Sequence, residues 1–153
     1  MIDVSNESGE QVDTQALVRL ALFALGSLRI HPQSDLSILL VDEDAMTAYH
    51  KRFLDLDGPT DVMSFPMDEL RMPDDHEEPP RGLLGDIVIC PTFTSAQAPG
   101  NGRSNQEEME YLLIHGLLHL LGHDHAEPAE REVMFSLNDR IISDWKHEKV
   151  AGR

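Results

Sequence analysis

Apolar positions recur along this chain with two different periods, and each period marks a kind of element. Between Val12 and Leu28, the residues Leu17, Leu20, Ala21, Ala24, Leu25 and Leu28 return every three or four positions, the stripe of a helix with one buried face. Asp13 or Thr14 stands where an N-cap belongs, and Gly26 falls near the helix end. Asp42–Phe53 repeats the pattern with Ala45, Met46, Tyr49 and Phe53 on one side. A short helix is expected over Thr92–Ala98, after Pro91. Asn105–Leu121 predicts a longer one, capped by Ser104 or Asn105, with Glu107, Glu108 and Glu110 near its positive end. A last helix starts at Pro128 and runs to Trp145 or beyond, striped by Val133, Met134, Leu137, Ile141 and Trp145.

The second period belongs to strands. Ile2–Val4 alternates apolar and polar, Leu36–Val41 reads as a buried strand, and Leu83–Cys90 is the most strand-like run of the chain, apolar but for Asp86. Asp61–Pro66 is a strand that Pro66 limits. Gly58-Pro59 and Pro99–Gly102 read as turn and loop, and acidic Asp68–Arg81, with Pro73, Pro79 and Pro80, as a solvated excursion. The tail Lys146–Arg153 is polar and expected to fray. Helices alternating with strands predict one α/β (α+β) domain over residues 1–153, with about four strands in a mixed sheet and about five helices. A chain of 153 residues fits that size and buries about two thirds of its unfolded surface.

Composition narrows the setting. No run of about 18 apolar residues exists, so no membrane helix is expected. Met1–Glu10 carries acids where a signal peptide has a basic segment, so none is expected there. Cys90 is the only cysteine, which rules out an intrachain disulfide and suits a reducing cytoplasm. Within its strand it reads as a small core residue. The formal charge of −16 argues against a general nucleic-acid binder, because phosphate is repelled by such a surface. It leaves room for a local basic cleft, or for RNA held by a larger basic partner.

One segment carries the chemistry: His115-Gly116-Leu117-Leu118-His119-Leu120-Leu121-Gly122-His123-Asp124-His125. His115 and His119 lie one turn apart on one helix face, so both imidazoles reach a common ion. Gly122 can end the helix in a left-handed conformation and let the chain fold back, presenting His125 as a third ligand. His123 is the alternative third ligand; the ten-residue offset from His115 favours His125. Three imidazoles without a fourth protein ligand are the pattern of a catalytic zinc site with an open position. Such a zinc lowers the pKa of a water from roughly 15.7 to about 7 and polarises a carbonyl or phosphoryl oxygen, so hydrolysis or phosphodiester cleavage is indicated. Asp124 reads either as an acceptor for a ligand imidazole or as an exposed turn residue. The ligand spacing is also that of metzincin proteases, but Gly116 stands where those enzymes carry their glutamate base, which argues against peptide hydrolysis.

Together with Pro59-Thr60-Asp61-Val62-Met63-Ser64-Phe65-Pro66 and Gly85-Asp86-Ile87-Val88-Ile89, the histidine segment resembles the bacterial YbeY family of rRNA-maturation endoribonucleases, over nearly the whole chain. The resemblance implies one Zn2+ ion on His115, His119 and His125. It also implies a single-strand-specific endoribonuclease acting in 16S rRNA 3′-end maturation and ribosome quality control. The implied partners are single-stranded rRNA or the pre-ribosomal small subunit, with no membrane, and a basic ribosomal protein would suit the acidic surface. The family places a catalytically relevant arginine shortly before the Thr60-Asp61-Val62 block. The nearest here is Arg52, in a shifted register, which reads equally as a solvated helix residue. Ser64 and Asp86 are further candidates for the cleft, each with an equal structural reading. Two alternatives remain beside the nuclease: a ribosome-assembly factor whose metal is mainly structural, and a metallopeptidase.

Overall fold

The apolar runs pair into one sheet. In this computed structural model, which describes the backbone of residues 1–152 and the side chains of residues 1–149, four strands form: β1 (Ile2–Asn6), β2 (Asp35–Leu40), β3 (Val62–Pro66) and β4 (Leu83–Ile89). Their order is β1-β2-β4-β3. β1, β2 and β4 run parallel, and β3 returns antiparallel to β4. The helices are α1 (Thr14–Ser27), α2 (Glu43–Leu54), α3 (Pro91–Gln97), α4 (Asn105–Leu120) and α5 (Pro128–Gly152), with a short 3₁₀ turn at Pro99–Asn101. The expected single α/β domain with a four-stranded mixed sheet and five helices is the one observed.

Side-chain alternation sorts the helices to the two faces. Ile38, Leu40, Ile87 and Ile89 pack in one cluster with Leu17 and Leu20 of α1, Leu113 and Leu117 of α4, and Ile141 and Trp145 of α5. On the opposite face Met63 of β3 and Val88 of β4, with Val41 and Cys90 just past the ends of β2 and β4, pack against Met46 of α2, with Tyr49, Phe65 and Phe93 around them. β4 lies inside the sheet and is covered on both sides over Ile87–Ile89, which is why that part of its sequence is continuously apolar. Cys90 is fully buried and serves as the N-cap residue of α3, so it is a core residue, as expected.

A bulge sits near the start of β4. Asp35 pairs with Leu83 but Leu36 pairs with Gly85, so Leu84 is an extra residue on that strand. The irregularity lets Leu84 and Ile87 both face the large cluster although they are three apart. Gly85 takes φ 135°, and a Cβ there would collide with the Phe65 carbonyl oxygen. Only glycine allows β3 and β4 to lie together at this point.

The helix ends follow side-chain chemistry. Asp13, not Thr14, caps α1: its carboxylate accepts from the Ala16 N–H at 3.0 Å. Gly26 stays inside α1, and the left-handed residue after the helix is Arg29, φ 57°. The Arg29 guanidinium donates to the carbonyls of Asp74 and Glu77, both at 2.9 Å, and so ties down the acidic excursion. α4 opens with a complete capping box between Ser104 and Glu107. The tail departs from expectation. Lys146–Gly152 continue α5 rather than fray, because Lys146 pairs with Glu107 at 3.4 Å and Lys149 lies over the Trp145 ring at 5.6 Å. Arg153 lies outside the described residues.

Gly85→Ala should therefore destabilise the fold by about 3 kcal/mol or more, from strained backbone plus the carbonyl collision. Thermal or urea unfolding measures this; a loss below about 1 kcal/mol would mean that β3 can shift away from Gly85.

Candidate metal centre

α4 approaches the sheet at Gly116. A Cβ at this position would lie 3.0 Å from Ile87 Cγ2 and 3.0 Å from Ser64 Oγ, so any side chain would press the helix outward. Ser64 instead donates its hydroxyl to the Gly116 carbonyl at 3.0 Å. Position 116 thus faces β3 and β4, and its neighbour His115 turns to the open flank. One turn later His119 joins it, its ring centroid 4.6 Å from that of His115.

The end of α4 brings in the third histidine. Leu121 is the C-cap, and Gly122 follows with φ 93°. The Gly122 N–H donates to the His119 carbonyl at 3.0 Å and the His123 N–H to the Leu118 carbonyl at 3.0 Å. These are the two bonds of a Schellman motif, and they reverse the chain. A Cβ on Gly122 would meet the Arg71 guanidinium at 2.7 Å, so the position needs glycine for room as well as for conformation. Asp124 then accepts from the His125 N–H at 2.7 Å, and His125 is carried back to His115 and His119, with ring centroids 5.5 and 5.2 Å away.

The three imidazoles offer ligand nitrogens that all lie within 4.8 Å of one another. His119 Nε2 and His115 Nε2 are 3.1 Å apart. Two ligands on a tetrahedral zinc with Zn–N of about 2.0–2.1 Å sit roughly 3.3 Å from each other, so this pair is close to a ligand spacing. The Nδ1 of His119 donates to the His123 carbonyl at 2.9 Å, which assigns the proton to Nδ1 and leaves the Nε2 lone pair facing His115. Facing nitrogens of this kind repel unless a proton or a cation lies between them. The donor set fits a divalent metal.

Burial favours the neutral form of His115 and His119. It depresses the His115 pKa to about 4, and repulsion from positive charge on His119 and His125 adds to the effect against a smaller opposing pull from Asp61. His119 is also lowered by burial, partly offset by its bond to the His123 carbonyl. Phe135 of α5 stands 6.2 Å from the His115 ring and 6.1 Å from that of His125, shielding one side of the group.

On the other side the histidines open into a cleft of about 740 Å³, shared with Asp61, Ser64, Gln97, Asn101, Arg103, Glu108 and Tyr111. Asp61 accepts from the Val62 N–H at 2.7 Å and from Gln97 Nε2 at 3.1 Å, joining the start of β3 to α3. Glu108 is buried, yet it is paired with Arg103 at 2.9 Å.

The sequence-predicted residues divide. His115, His119 and His125 come together as one group, and Ser64 lies in the cleft wall. The His123 side chain turns away to Met72 Sδ, 3.3 Å from its Nε2, and only its carbonyl serves the site. Asp124 does not reach an imidazole; its carboxylate holds the backbone of His125, and the His123 carbonyl takes the acceptor role for His119. Arg52 is on the exposed face of α2 with its guanidinium 5.3 Å from the Phe53 ring centroid, outside the cleft wall. Asp86 lies beside Asp3, Asp35 and Ser37 in a different groove, so its half-buried carboxylate is solvated there rather than in the cleft. Sequence reasoning missed Arg103, Glu108 and Tyr111 as cleft residues. Glu108, Tyr111, His115 and His119 share one helical stripe, a legible signal; the place of Arg103 depends on a loop.

A family model described as Endoribonuclease YbeY matches residues 3–146. An Endoribonuclease YbeY of Cutibacterium acnes is 64% identical over 154 residues, covering 100% of this chain and 99% of the relative. One from Streptomyces griseus is 55% identical over 151 residues, covering 96% and 91%. The solution structure of a Thermotoga maritima protein superimposes with a TM-score of 0.63 at 24% identity, over 97% of this chain and 93% of that one.

Two outcomes follow from the site's geometry. His115→Ala and His119→Ala should each weaken metal binding more than about a hundredfold, read by metal analysis after dialysis; retained stoichiometric metal in both would refute the assignment. In metal-free protein, folded His115 titrates near 4 and the unfolded imidazole near 6.5. Between these values the unfolded chain binds more protons. The stabilisation is thus complete above pH 6.5 and is lost as the pH falls toward 4, and melting temperatures in chelator should drop over that window. In His115→Ala the drop should shrink.

Proposed function

The chain belongs to the YbeY family of endoribonucleases, and from that premise we propose that it is a zinc-dependent, single-strand-specific endoribonuclease. Its proposed work is 16S rRNA 3′-end maturation and ribosome quality control in the cytoplasm, on single-stranded rRNA or the pre-ribosomal small subunit. Among the described residues no helix is long and apolar enough to cross a membrane.

The observation that carries this reading is the convergence of three imidazoles at the wall of an open cleft, with no fourth candidate ligand in the group among the described residues. Structural zinc sites are closed by four protein ligands, and catalytic ones keep a position for water or substrate. A zinc ion held there would polarise a phosphodiester and acidify the attacking hydroxyl or water. The chain's own residues prepare that position. The His123 carbonyl fixes the ring of His119, burial keeps His115 neutral, and Phe135 shields one side of the group. Beside His119 lies a shelf containing Phe53, Leu54 and Phe65, with Phe53 and Phe65 rings 4.9 Å apart edge to face. Phe53 is half exposed there. Such a shelf suits unstacked bases, which duplex RNA does not offer, and so supports single-strand selectivity.

A second reading keeps the metal structural and makes the protein an assembly factor docked on a basic ribosomal protein; the charge of −16 favours it. Peptide hydrolysis is not favoured, because position 116 is packed against Ile87 and Ser64 and has no room for a base.

Zinc-loaded protein should cleave a single-stranded rRNA fragment, and His119→Ala should lower the rate by at least about a thousandfold. Chelation should leave the circular dichroism spectrum native and abolish cleavage. Unfolding on chelation, with no cleavage by the zinc-loaded form, would select the assembly-factor reading instead.

A further inference from the structure

RNA approaching this protein meets a chain of net charge −16, yet among the described residues the cleft wall contains one arginine and no lysine. That arginine is Arg103, and its setting is built. Gly102, with φ 70°, turns the chain out of the 3₁₀ turn, and the Arg103 N–H donates to the Ala98 carbonyl at 3.0 Å. Its Nη1 donates to Glu108 Oε1 at 2.9 Å. The other oxygen of Glu108 accepts from Gln97 at 2.8 Å and Asn101 at 3.0 Å, so this carboxylate, 1% exposed, is immobilised on every side. The guanidinium rests on the face of Tyr111, 3.9 Å from the ring centroid.

These contacts use one edge and one face. A guanidinium carries five N–H donors in a fixed fork, and among the described residues only one of them has a protein partner. The side chain is 30% exposed. Tyr111 precedes His115 by four residues, so the charge sits about one helical turn, roughly 5–6 Å, along α4 from the first metal ligand. Arg103 and Tyr111 also line a neighbouring groove with Asp139, Ile142, Ser143, Lys146 and His147, where two basic side chains besides Arg103 face one carboxylate. A strand continuing past the histidines in that direction crosses the guanidinium.

We propose that Arg103 is a phosphate-binding residue of the cleft. It takes a backbone phosphate adjacent to the one at the histidines, and Glu108 and Tyr111 act as its positioning residues. The proposal rests on the endoribonuclease reading given above. An ion pair that did no more than neutralise Glu108 would affect folding, not the dependence of RNA binding on salt.

The test uses zinc-loaded wild type, Arg103→Gln, Arg103→Lys and the double variant Arg103→Gln/Glu108→Gln, which removes the buried carboxylate's charge together with its partner. Fluorescence anisotropy with a 2′-O-methylated single strand gives Kd across a potassium chloride series, unmodified RNA gives KM and kcat, and thermal melts report folding. Arg103→Gln and the double variant should weaken Kd and raise KM about tenfold, with kcat changed less than about threefold. The slope of log Kd against log salt should fall by about 0.7, the value for one single-strand phosphate contact. Arg103→Lys should keep the slope and recover part of the affinity. Folded variants with wild-type Kd and slope would overturn the proposal, as would a loss that follows melting temperature alone. Wild type that binds the strand with this arginine dependence but cleaves nothing would refute the nuclease reading and leave the phosphate contact standing. Wild type that does not bind single strands refutes both.

Discussion

The site depends on how closely α4 lies against β3 and β4. The helix carries two of the three histidines and about a third of the cleft wall, and both are placed by the contact at Gly116. Because the helix touches Ile87 and Ser64 there without an intervening side chain, its flank faces the gap beside β3, with His115 and His119 on that flank. Gly85 sets the other half of the contact by letting β3 lie tight against β4. Gly116 thus fixes the distance between α4 and the sheet, Gly85 fixes the spacing of β3 and β4, and the geometry of the histidine group follows from both.

A second constraint acts at the end of α4. Two imidazoles on a straight helix cannot gain a third from the next turns of the same helix, because the side chains rotate away. The Schellman reversal at Gly122 solves this, and its product does more than one thing. The carbonyl of His123, released from helical bonding, accepts the Nδ1 proton of His119 and orients that ring. The side chain of Asp124 holds the amide of His125. Backbone groups thus do here what a carboxylate partner does in many metal sites.

Electrostatics is concentrated rather than distributed. The chain is acidic, burial favours the neutral form of His115 and His119, and Arg103 of the cleft is pinned by a buried carboxylate and an aromatic face. General repulsion by the surface lowers affinity for RNA everywhere else, so a charge placed at one point contributes to register as well as to affinity. On the proposed phosphate contact, an acidic protein handles an anionic substrate without becoming a general nucleic-acid binder.

The amino-acid sequence by itself determined the elements and the histidine group that could hold a metal. Helical stripes, apolar strand runs and cap residues are local patterns, and the fold class follows from their order. The spacing of His115, His119, Gly122 and His125 is also local, since one turn and one reversal connect all four, and for that reason the metal group was legible. The tertiary structure decided what depends on contacts between distant segments. It placed Asp86 in another groove and Arg52 on an outer face, it turned Asp124 to the backbone, and it extended α5 through salt and aromatic contacts with α4 and within α5 itself. It alone brought Arg103 over Tyr111 and beside Glu108, because that position comes from a loop whose course is set by packing of α3 against α4. Periodicity records which face of an element is buried; it does not record which loop will lie against that face.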